Sequence, residues 1–157
     1  MSHTTQGTLA LDKLGIAYAL HPYPYDPDAP RVGLQAAEAL GVEPAQVFKT
    51  LMAEVDGKPV CVIIPSNAEA SMKKVAAVFS GKSAAMMKVP DAERLTGYKV
   101  GGIGPFGQKR KVPTALDETA ELYDRVYINA GQRGLLLSIA PAAALRAANA
   151  KLADLTA

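Results

Sequence analysis

The feature that most constrains the fold of this chain is a pair of long apolar segments joined by two residues. The segments are Val47–Val55 and Lys58–Pro65, and Asp56-Gly57 connects them. An Asp-Gly pair between two such runs is a strong signal for a two-residue type I′ hairpin turn. Because both arms are almost continuously apolar, we expect this hairpin to lie in the middle of a sheet that is covered on both faces.

Shorter helices and strands are predicted on both sides of the hairpin. Apolar residues at helical spacing, bounded by glycine, serine or proline, predict helices at 11–14, 34–40, 71–80, 90–96 and 141–152. Apolar runs predict further strands at 16–20, 84–89, 125–129 and 135–139, and four prolines predict a loop at 21–31. The sequence therefore predicts one α+β or α/β domain over residues 1–157, with a central mixed β-sheet surrounded by helices.

The composition narrows the class of protein. Apolar residues make up 49% of the chain and charged residues 20%, which is typical of a globular domain. A single cysteine, Cys61, and two histidines, His3 and His21, give neither a disulfide framework nor a zinc constellation, so we predict no metal and no cofactor. The first residues lack an export signal, and the longest apolar run, Val60–Pro65, is far too short to span a membrane. We expect a cytoplasmic protein without a membrane partner.

The charges of this chain are unevenly distributed along it. The net charge is only +2, yet the segment Lys73–Lys111 holds nine basic and two acidic residues, a net charge of +7 against −5 for the remainder. Such an asymmetry is typical of a domain that presents one face to a polyanion. The alternative is that these lysines decorate several unrelated solvated faces.

Lys49 is the most unusual residue of the predicted hairpin. A two-residue turn sets Val55 opposite Lys58, and counting back sets Lys49 opposite Ile64. An ammonium group on an apolar central strand is paired, deprotonated or facing a cavity, because burying it alone costs several kcal/mol. The alternative is that Lys49 lies near the open end of the strand and reaches water while its stem packs.

The glycine-rich segment after the charged region is a second candidate. Its Gly102-x-Gly104-x-x-Gly107 pattern matches the dinucleotide fingerprint, but no helix follows and Pro105 intervenes, so we reject that interpretation. Gly101 and Gly102 still allow a ligand to approach backbone N–H groups closely. The three basic residues Lys109–Lys111 could hold phosphates. The alternative is a tight loop with solvated charges.

No protein nucleophile is evident. Cys61 lies in the middle of an apolar strand with no base beside it, and a buried thiol stays protonated. The polar loop Asn129–Gly134 separates two predicted strands and can be a simple hairpin turn. No Ser–His–Asp or paired-carboxylate arrangement can be recognised.

In order and spacing, these motifs resemble those of the bacterial tRNA-editing deacylases related to the inserted editing domain of prolyl-tRNA synthetase. The likeness is greatest to the free-standing Cys-tRNA(Pro) deacylase branch, often called YbaK, and runs from about Gly15 to the C-terminus. The motifs that carry it are Gln46–Leu51, Thr96–Pro105 with Gly107–Lys111, and Tyr127–Leu135.

The resemblance implies roles for individual residues. Lys49 matches the functional lysine of the family, Tyr23 a tyrosine of its substrate pocket, and Gly101 the backbone rim of that pocket. We predict three sets: catalytic Lys49, Gly101 and Gly102; substrate-binding Tyr23, Val32, Thr50, Asn129 and Gly131; and tRNA-binding Lys109, Arg110, Lys111 and Arg133. Two positions depart from the family pattern, Asn129 in place of a small hydroxyl residue and Leu136 where an acidic residue can occur.

The activity that the resemblance implies is removal of mischarged cysteine from tRNA(Pro), with Cys-tRNA(Cys) as a second substrate and prolyl-tRNA synthetase as a candidate partner. In this branch the thiol of the substrate attacks its own ester, so the protein supplies orientation and charge stabilisation, the former worth roughly 7–11 kcal/mol. The alternatives are hydrolytic editing of Ala-tRNA or Ser-tRNA, and a non-catalytic module that binds tRNA or a synthetase.

Overall fold

The structure, a computed structural model, describes residues 3–29 and 32–157. Five α-helices alternate irregularly with eight β-strands. The helices are α1 (Gln6–Lys13), α2 (Val32–Leu40), α3 (Met72–Val78), α4 (Val89–Thr96) and α5 (Pro141–Ala148). The strands are β1 (Ala19–Pro22), β2 (Val47–Val55), β3 (Lys58–Pro65), β4 (Ala84–Met86), β5 (Thr114–Asp117), β6 (Val126–Gln132), β7 (Leu135–Ile139) and β8 (Ala150–Ala153). None of the helices in these two described ranges is long and apolar enough to cross a membrane.

The predicted hairpin of β2 and β3 is confirmed in its bounds and its register. Asp56 and Gly57 have φ angles of 50° and 82°, as a type I′ turn requires. Val55 lies opposite Lys58, and Lys49 lies opposite Ile64.

All eight strands belong to one mixed sheet with the hairpin near its centre. The order is β1-β7-β6-β2-β3-β5-β8, and β4 pairs with the C-terminal end of β2. The neighbours β2 and β6, β3 and β5, and β5 and β8 are parallel, whereas the remaining pairs are antiparallel. This arrangement confirms the expected α+β architecture.

The two faces of the sheet are covered differently. On one face a large apolar cluster joins α1, α4 and α5 to the sheet around Phe48 and Ile128. On the other face there are two smaller clusters, one between α3 and the strand residues Val62 and Ile64, and one between α2 and Val47. Because the second face is covered by two separate helices, the strip of β2 between them is left partly open.

Helix ends follow the predicted signals. The side chain of Ser71 caps α3 by accepting the N–H of Lys74. Gly15, Gly41 and Gly97 follow α1, α2 and α4 with φ between 68° and 82°, the left-handed region in which glycine is favoured.

The boundaries of several predicted elements are wrong; the strand predicted at 84–89, for example, ends at Met86, and α4 begins at Val89. The first strand runs from Ala19 to Pro22 instead of 16–20, because its residues pair with β7, so the proline-rich loop begins only at Tyr23. The last helix stops at Ala148, since Asn149 adopts a left-handed conformation (φ 49°), and Leu152 belongs to a strand.

Two strands were not predicted. Strand β5 is fully buried but has only four residues, and it pairs in parallel with β3. Strand β8 in turn pairs in parallel with β5, which extends the sheet at this edge. Leu14 was also expected on the buried face of α1 with Leu11, but it is 53% exposed whereas Leu11 is fully buried.

Candidate active site

A cavity of about 250 Å³ opens on the second face of the sheet, between the parts covered by α2 and α3. Alternate residues of a strand share a face, so Val47, Lys49 and Leu51 point the same way from β2. Val47 packs under α2, and Leu51 packs against the cluster under α3. Lys49 lies between them, at the place where neither helix covers the sheet. The cavity is lined by Tyr23, Tyr25, Lys49, Thr50, Ser66, Val100, Gly101, Ile103, Asn129 and Leu136, among others.

The ammonium group of Lys49 is the charged group of this cavity. The side chain is half-buried, and desolvation lowers the pKa of Lys49 below its ordinary value, an effect that the negative charge of Glu69 partly offsets. Within the described residues no carboxylate forms an ion pair with it inside 4.0 Å. Lys49 therefore faces a cavity, with a charge that is available to a ligand.

Gly101 brings the glycine-rich loop against this cavity. Its φ is +88°, and a Cβ atom there would lie 2.5 Å from the hydroxyl oxygen of Tyr25. Arg133 holds the same loop from the other side, because its Nε donates to the carbonyl of Val100 at 2.8 Å. The guanidinium of Arg133 also lies 5.8 Å from the ring centroid of Tyr25. Only glycine fits between these side chains, and its N–H has no acceptor among the described residues.

The side chain of Asn129 connects strand β6 to the glycine-rich loop. Its Oδ1 accepts the N–H groups of Gly131 at 2.6 Å and Gln132 at 3.0 Å, at a bulge between β6 and β7. This assignment leaves Nδ2 as a donor, and it reaches the carbonyl of Gly101 at 3.4 Å. Asn129 thus ties the glycine-rich loop to the sheet and orients the peptide of Gly101.

Thr50 contributes an open strand edge. The N–H of Ser66 donates to the carbonyl of Val47, so the backbone N–H and C=O groups of the odd-numbered residues of β2 point toward β3. The backbone groups of even-numbered residues, including Thr50, point toward the other edge of β2. On that edge β2 pairs with β6 only at Val47 and Phe48, and with β4 only at 53–55. The hydroxyl of Thr50 is buried without a partner in the described part of the chain. Because side chains alternate along β2, this hydroxyl leaves the face opposite to Lys49, so Thr50 offers the cavity its open backbone edge.

Comparison with known proteins places this chain in a family. The sequence profile of the aminoacyl-tRNA editing domain matches residues 27–147, well over half of the chain. The chain belongs to the aminoacyl-tRNA editing domain family.

Relatives of this editing domain occur both as separate proteins and within a synthetase. EbsC of Enterococcus faecalis, which carries the provisional name of a Cys-tRNA(Pro)/Cys-tRNA(Cys) deacylase, is 40% identical over 122 residues, 76% of this chain and 74% of EbsC. The proline–tRNA ligase of Streptomyces coelicolor is 34% identical over 91 residues, 58% of this chain but only 16% of the ligase.

A solved structure supports the fold. A crystal structure described provisionally as a trans-editing enzyme for prolyl-tRNA synthetase superposes with a TM-score of 0.86 at 23% identity, covering 99% of both chains. At this identity the likeness establishes the fold of the editing domain and no more.

Two predicted glycines of the editing domain lie outside the cavity wall. Gly102 is buried, its N–H donates to the carbonyl of Lys99 at 2.8 Å, and an added Cβ would lie 2.7 Å from the backbone N of Arg133. Gly131 has a φ of +106° and packs against the ring of Tyr98, 2.7 Å from where a Cβ would be. Both positions are explained by close packing of the loop, so we do not count the N–H of Gly102 among the available donors.

The predicted tRNA-binding residues fall in two places. Arg133 contacts Val100 and Tyr25, two residues that line the cavity. The three residues Lys109–Lys111 are exposed and line two other surface depressions, near the turn of the central hairpin. Of the predicted substrate-binding residues, Tyr23 and Thr50 line the cavity, whereas the side chain of Val32 lies outside the described part of the structure.

Some residues of the cavity were not in the predicted set. Tyr25 lies in the proline-rich loop and contacts Gly101 directly. Ser66 follows β3 and lies opposite Val47. Extending the predicted hairpin register by one residue would have placed it there. Val100 and Ile103 lie in a glycine-rich loop with no regular period, so no sequence signal pointed them at the cavity.

Burial determines the protonation state of two further side chains. Burial raises the pKa of the Cys61 thiol to about 12, so it is protonated at neutral pH. Burial also raises the pKa of Tyr23, which keeps its hydroxyl a hydrogen-bond donor. Among residues 3–29 and 32–157 no group of three or more His, Cys, Asp or Glu side chains could hold a metal ion.

Proposed function

We propose that this editing domain removes mischarged cysteine from tRNA(Pro) as a free-standing enzyme. The observation that carries the proposal is the half-buried Lys49, which faces a small cavity opposite the backbone of Gly101. At about 250 Å³ the cavity is smaller than a typical drug-sized site, which suits a small aminoacyl group. The provisional name of EbsC, at 40% identity, points to the same substrates.

The reaction suits a site in which the nucleophile comes with the substrate. The thiol of the bound cysteine loses its proton to solvent, and its sulfur attacks the carbonyl carbon of its own ester. A carbon–sulfur bond forms and the ester carbon–oxygen bond breaks, which releases a cyclic thiolactone. The departing ribose oxygen takes up a proton, so tRNA leaves with a free hydroxyl group. The protein provides orientation and charge stabilisation.

Three groups of the cavity have separate tasks in this reaction. The N–H of Gly101 donates to the oxygen of the ester carbonyl as negative charge develops, and a single donor of this type is typically worth about 3–4 kcal/mol. The ammonium of Lys49 holds the terminal ribose or its phosphate and so orients the ester. The open backbone edge of Thr50 and the protonated hydroxyl of Tyr23 contact the aminoacyl group.

A hydrolytic enzyme that acts on another small amino acid is the second candidate. Leu136 lies in the wall of the cavity, where an apolar side chain cannot bind the substrate amino group as an acidic residue could. Leu136 also makes this part of the wall apolar, so the alternative substrates are small esters that fit the same cavity, those of alanine and serine. In both cases the substrate is a mischarged tRNA, and prolyl-tRNA synthetase is a proposed partner.

A deacylation screen over a panel of mischarged tRNAs tests the proposed function. The panel contains tRNA(Pro) carrying cysteine, alanine, serine or proline, and tRNA(Cys) carrying cysteine. We expect Cys-tRNA(Pro) to be deacylated fastest and Pro-tRNA(Pro) to persist. Release of alanine or serine in preference to cysteine would support the hydrolytic candidate, and no release from any member would leave a non-catalytic module.

A further inference from the structure

A groove lies at the turn end of the central hairpin, remote from Lys49. Its volume is about 540 Å³, and strands β3 and β8 contribute to it together with the segment before β5. Its apolar wall includes Val60 and the ring of Phe79. The position is set by the end of the hairpin, since Val55 and Lys58 flank the Asp56-Gly57 turn.

The rim of this groove is positively charged. Four cationic side chains line it and no acidic residue does; the four are Lys58, Arg110, Lys111 and Lys151. Lys58, Arg110 and Lys111 are exposed and form no ion pair with any described residue. The nearby carboxylate of Asp56 is already engaged, because it accepts the N–H groups of Lys82 and Ser83. The negative charge of Asp56 partly offsets that of Lys58, and the rim as a whole keeps a net positive charge.

One of the four cations is held in place. The Nζ of Lys151 donates to the carbonyl of Val78 at 2.7 Å and lies 5.0 Å from the ring centroid of Phe79. This amine still has two further N–H donors. A fixed cation beside an aromatic ring can bind a phosphate with little loss of side-chain entropy.

The groove and Lys49 lie on the same face of the sheet. Lys49 and Val55 are both odd-numbered positions of β2, and Lys58 is paired with Val55. Val62 pairs with Ala115, and Ala115 pairs with Lys151. Because paired residues share a face of the sheet, Lys151 lies on that face as well. Six residues of strand separate Lys49 from Val55, a distance of about 20 Å.

We propose that this groove binds the sugar-phosphate backbone of the RNA substrate, several nucleotides away from the ester held at Lys49. Charge complementarity selects a polyanion, and a repeated anion on one long molecule can occupy the groove and the cavity together. The apolar wall with Phe79 suits a ribose or an unstacked base beside the bound phosphates. The choice of RNA rests on the proposed function, whereas the site itself rests on the four cations.

The test compares two variants that change the net charge equally. The groove variant Lys58→Ala/Arg110→Ala removes two charges that make no hydrogen bond in the described structure. The control Arg146→Glu changes the net charge by the same amount on α5, which packs on the other face of the sheet. Binding of tRNA(Pro) is measured between 50 and 200 mM salt, and single-turnover rates are measured with full Cys-tRNA(Pro) and with a cysteinyl CCA trinucleotide.

We expect the groove variant to bind tRNA(Pro) roughly tenfold more weakly than the control, with a salt slope reduced by about 0.7–0.9 for each phosphate that the variant no longer neutralises. Its rate at saturating tRNA and its rate on the trinucleotide should equal those of the control. Equal tRNA affinity in the two variants would overturn the groove proposal. So would equal weakening toward the trinucleotide, or binding of anionic phospholipid vesicles without binding of tRNA.

The outcome separates this inference from the proposed function. Loss of tRNA affinity in the groove variant, in a protein that deacylates no aminoacyl-tRNA, would support the groove and refute the enzyme. Deacylation of Cys-tRNA(Pro), together with an unchanged tRNA affinity in the groove variant, would support the enzyme and refute the groove.

Discussion

The two ends of the central hairpin carry the same kind of residue in opposite surroundings. At one end the ammonium of Lys49 is half-buried, beside the backbone of Gly101 and the amide of Asn129. At the turn end Lys58 is exposed to solvent and has Arg110, Lys111 and Lys151 around it. Both lysines point from the same face of one hairpin.

The difference between the two ends lies in desolvation. A partly desolvated charge interacts strongly with a bound group, because less water screens it, and it can act in the reaction. Exposed cations interact weakly one by one and are screened by salt, so as a group they contribute to affinity and to the rate of encounter. We therefore assign the chemistry to the Lys49 end and the affinity to the turn end.

The largest effect is expected from Lys49→Ala. Removal of the charge that orients the ester should lower the single-turnover rate on Cys-tRNA(Pro) by about 10²–10³-fold at saturating tRNA. The fold should persist, because desolvation already disfavours the ammonium at this position. Circular dichroism and thermal unfolding check the fold, and Arg146→Ala on α5 serves as the control that retains the rate. A Lys49→Ala enzyme with the full rate would erase the distinction between the two ends.

A smaller effect at the same end is expected from Asn129. Asn129→Asp keeps an acceptor for the N–H groups of Gly131 and Gln132 but replaces the donor to the carbonyl of Gly101 by a carboxylate. The lost hydrogen bond and the repulsion between the new carboxylate and the carbonyl of Gly101 should together lower the rate roughly tenfold and lower the unfolding free energy by about 1–3 kcal/mol. Asn129→Ala should lower the unfolding free energy as well, by about 1–3 kcal/mol for each N–H left unpaired. A normal rate in Asn129→Asp would show that the orientation of Gly101 does not depend on this amide.

The middle of the hairpin, between the two ends, should be inert. Cys61→Ala should retain the rate and lose about 1–2 kcal/mol of unfolding free energy, because Cys61 is fully buried opposite Met52. With a pKa of about 12, the native thiol should resist alkylation at pH 8, while the unfolded protein reacts. Since folding raises this pKa, the stability that the protonated thiol contributes is complete below about pH 8.5 and declines as the pH rises toward 12. Fast labelling of the folded enzyme, or loss of turnover in Cys61→Ala, would instead give the cysteine a part in the reaction.

The hairpin could be predicted from the sequence because its signals are local. The Asp-Gly pair fixes the turn, and the turn fixes the register that sets Lys49 opposite Ile64. The edges of the sheet could not be predicted in this way. Four-residue strands such as β5 and β8 have too little periodicity to be recognised, and their pairing partners are distant along the chain.

The candidate site divides in the same way. Lys49 is anomalous on any apolar strand and Gly101 lies in a glycine-rich segment, so both were candidates from the residues themselves, and the resemblance added Tyr23 and Thr50. The gathering of Lys58 and Lys151 with Arg110 required the three-dimensional structure, because the first two lie outside the basic segment 73–111 and meet it only through the sheet. The uneven charge along the chain pointed to a polyanion but could not show which cations share a surface.

The most direct test of the proposed chemistry compares two esters that differ by one atom. Cys-tRNA(Pro) and Ser-tRNA(Pro) are given to the protein at saturating concentrations, and the first product is trapped. If the substrate thiol is the nucleophile, Ser-tRNA(Pro) should be nearly untouched, since a hydroxyl is a far weaker nucleophile near neutral pH. We expect rapid loss of Cys-tRNA(Pro) with a cyclic thiolactone as the first product. Comparable rates for the two esters, with free serine and free cysteine as the first products, would contradict this mechanism and make water the nucleophile.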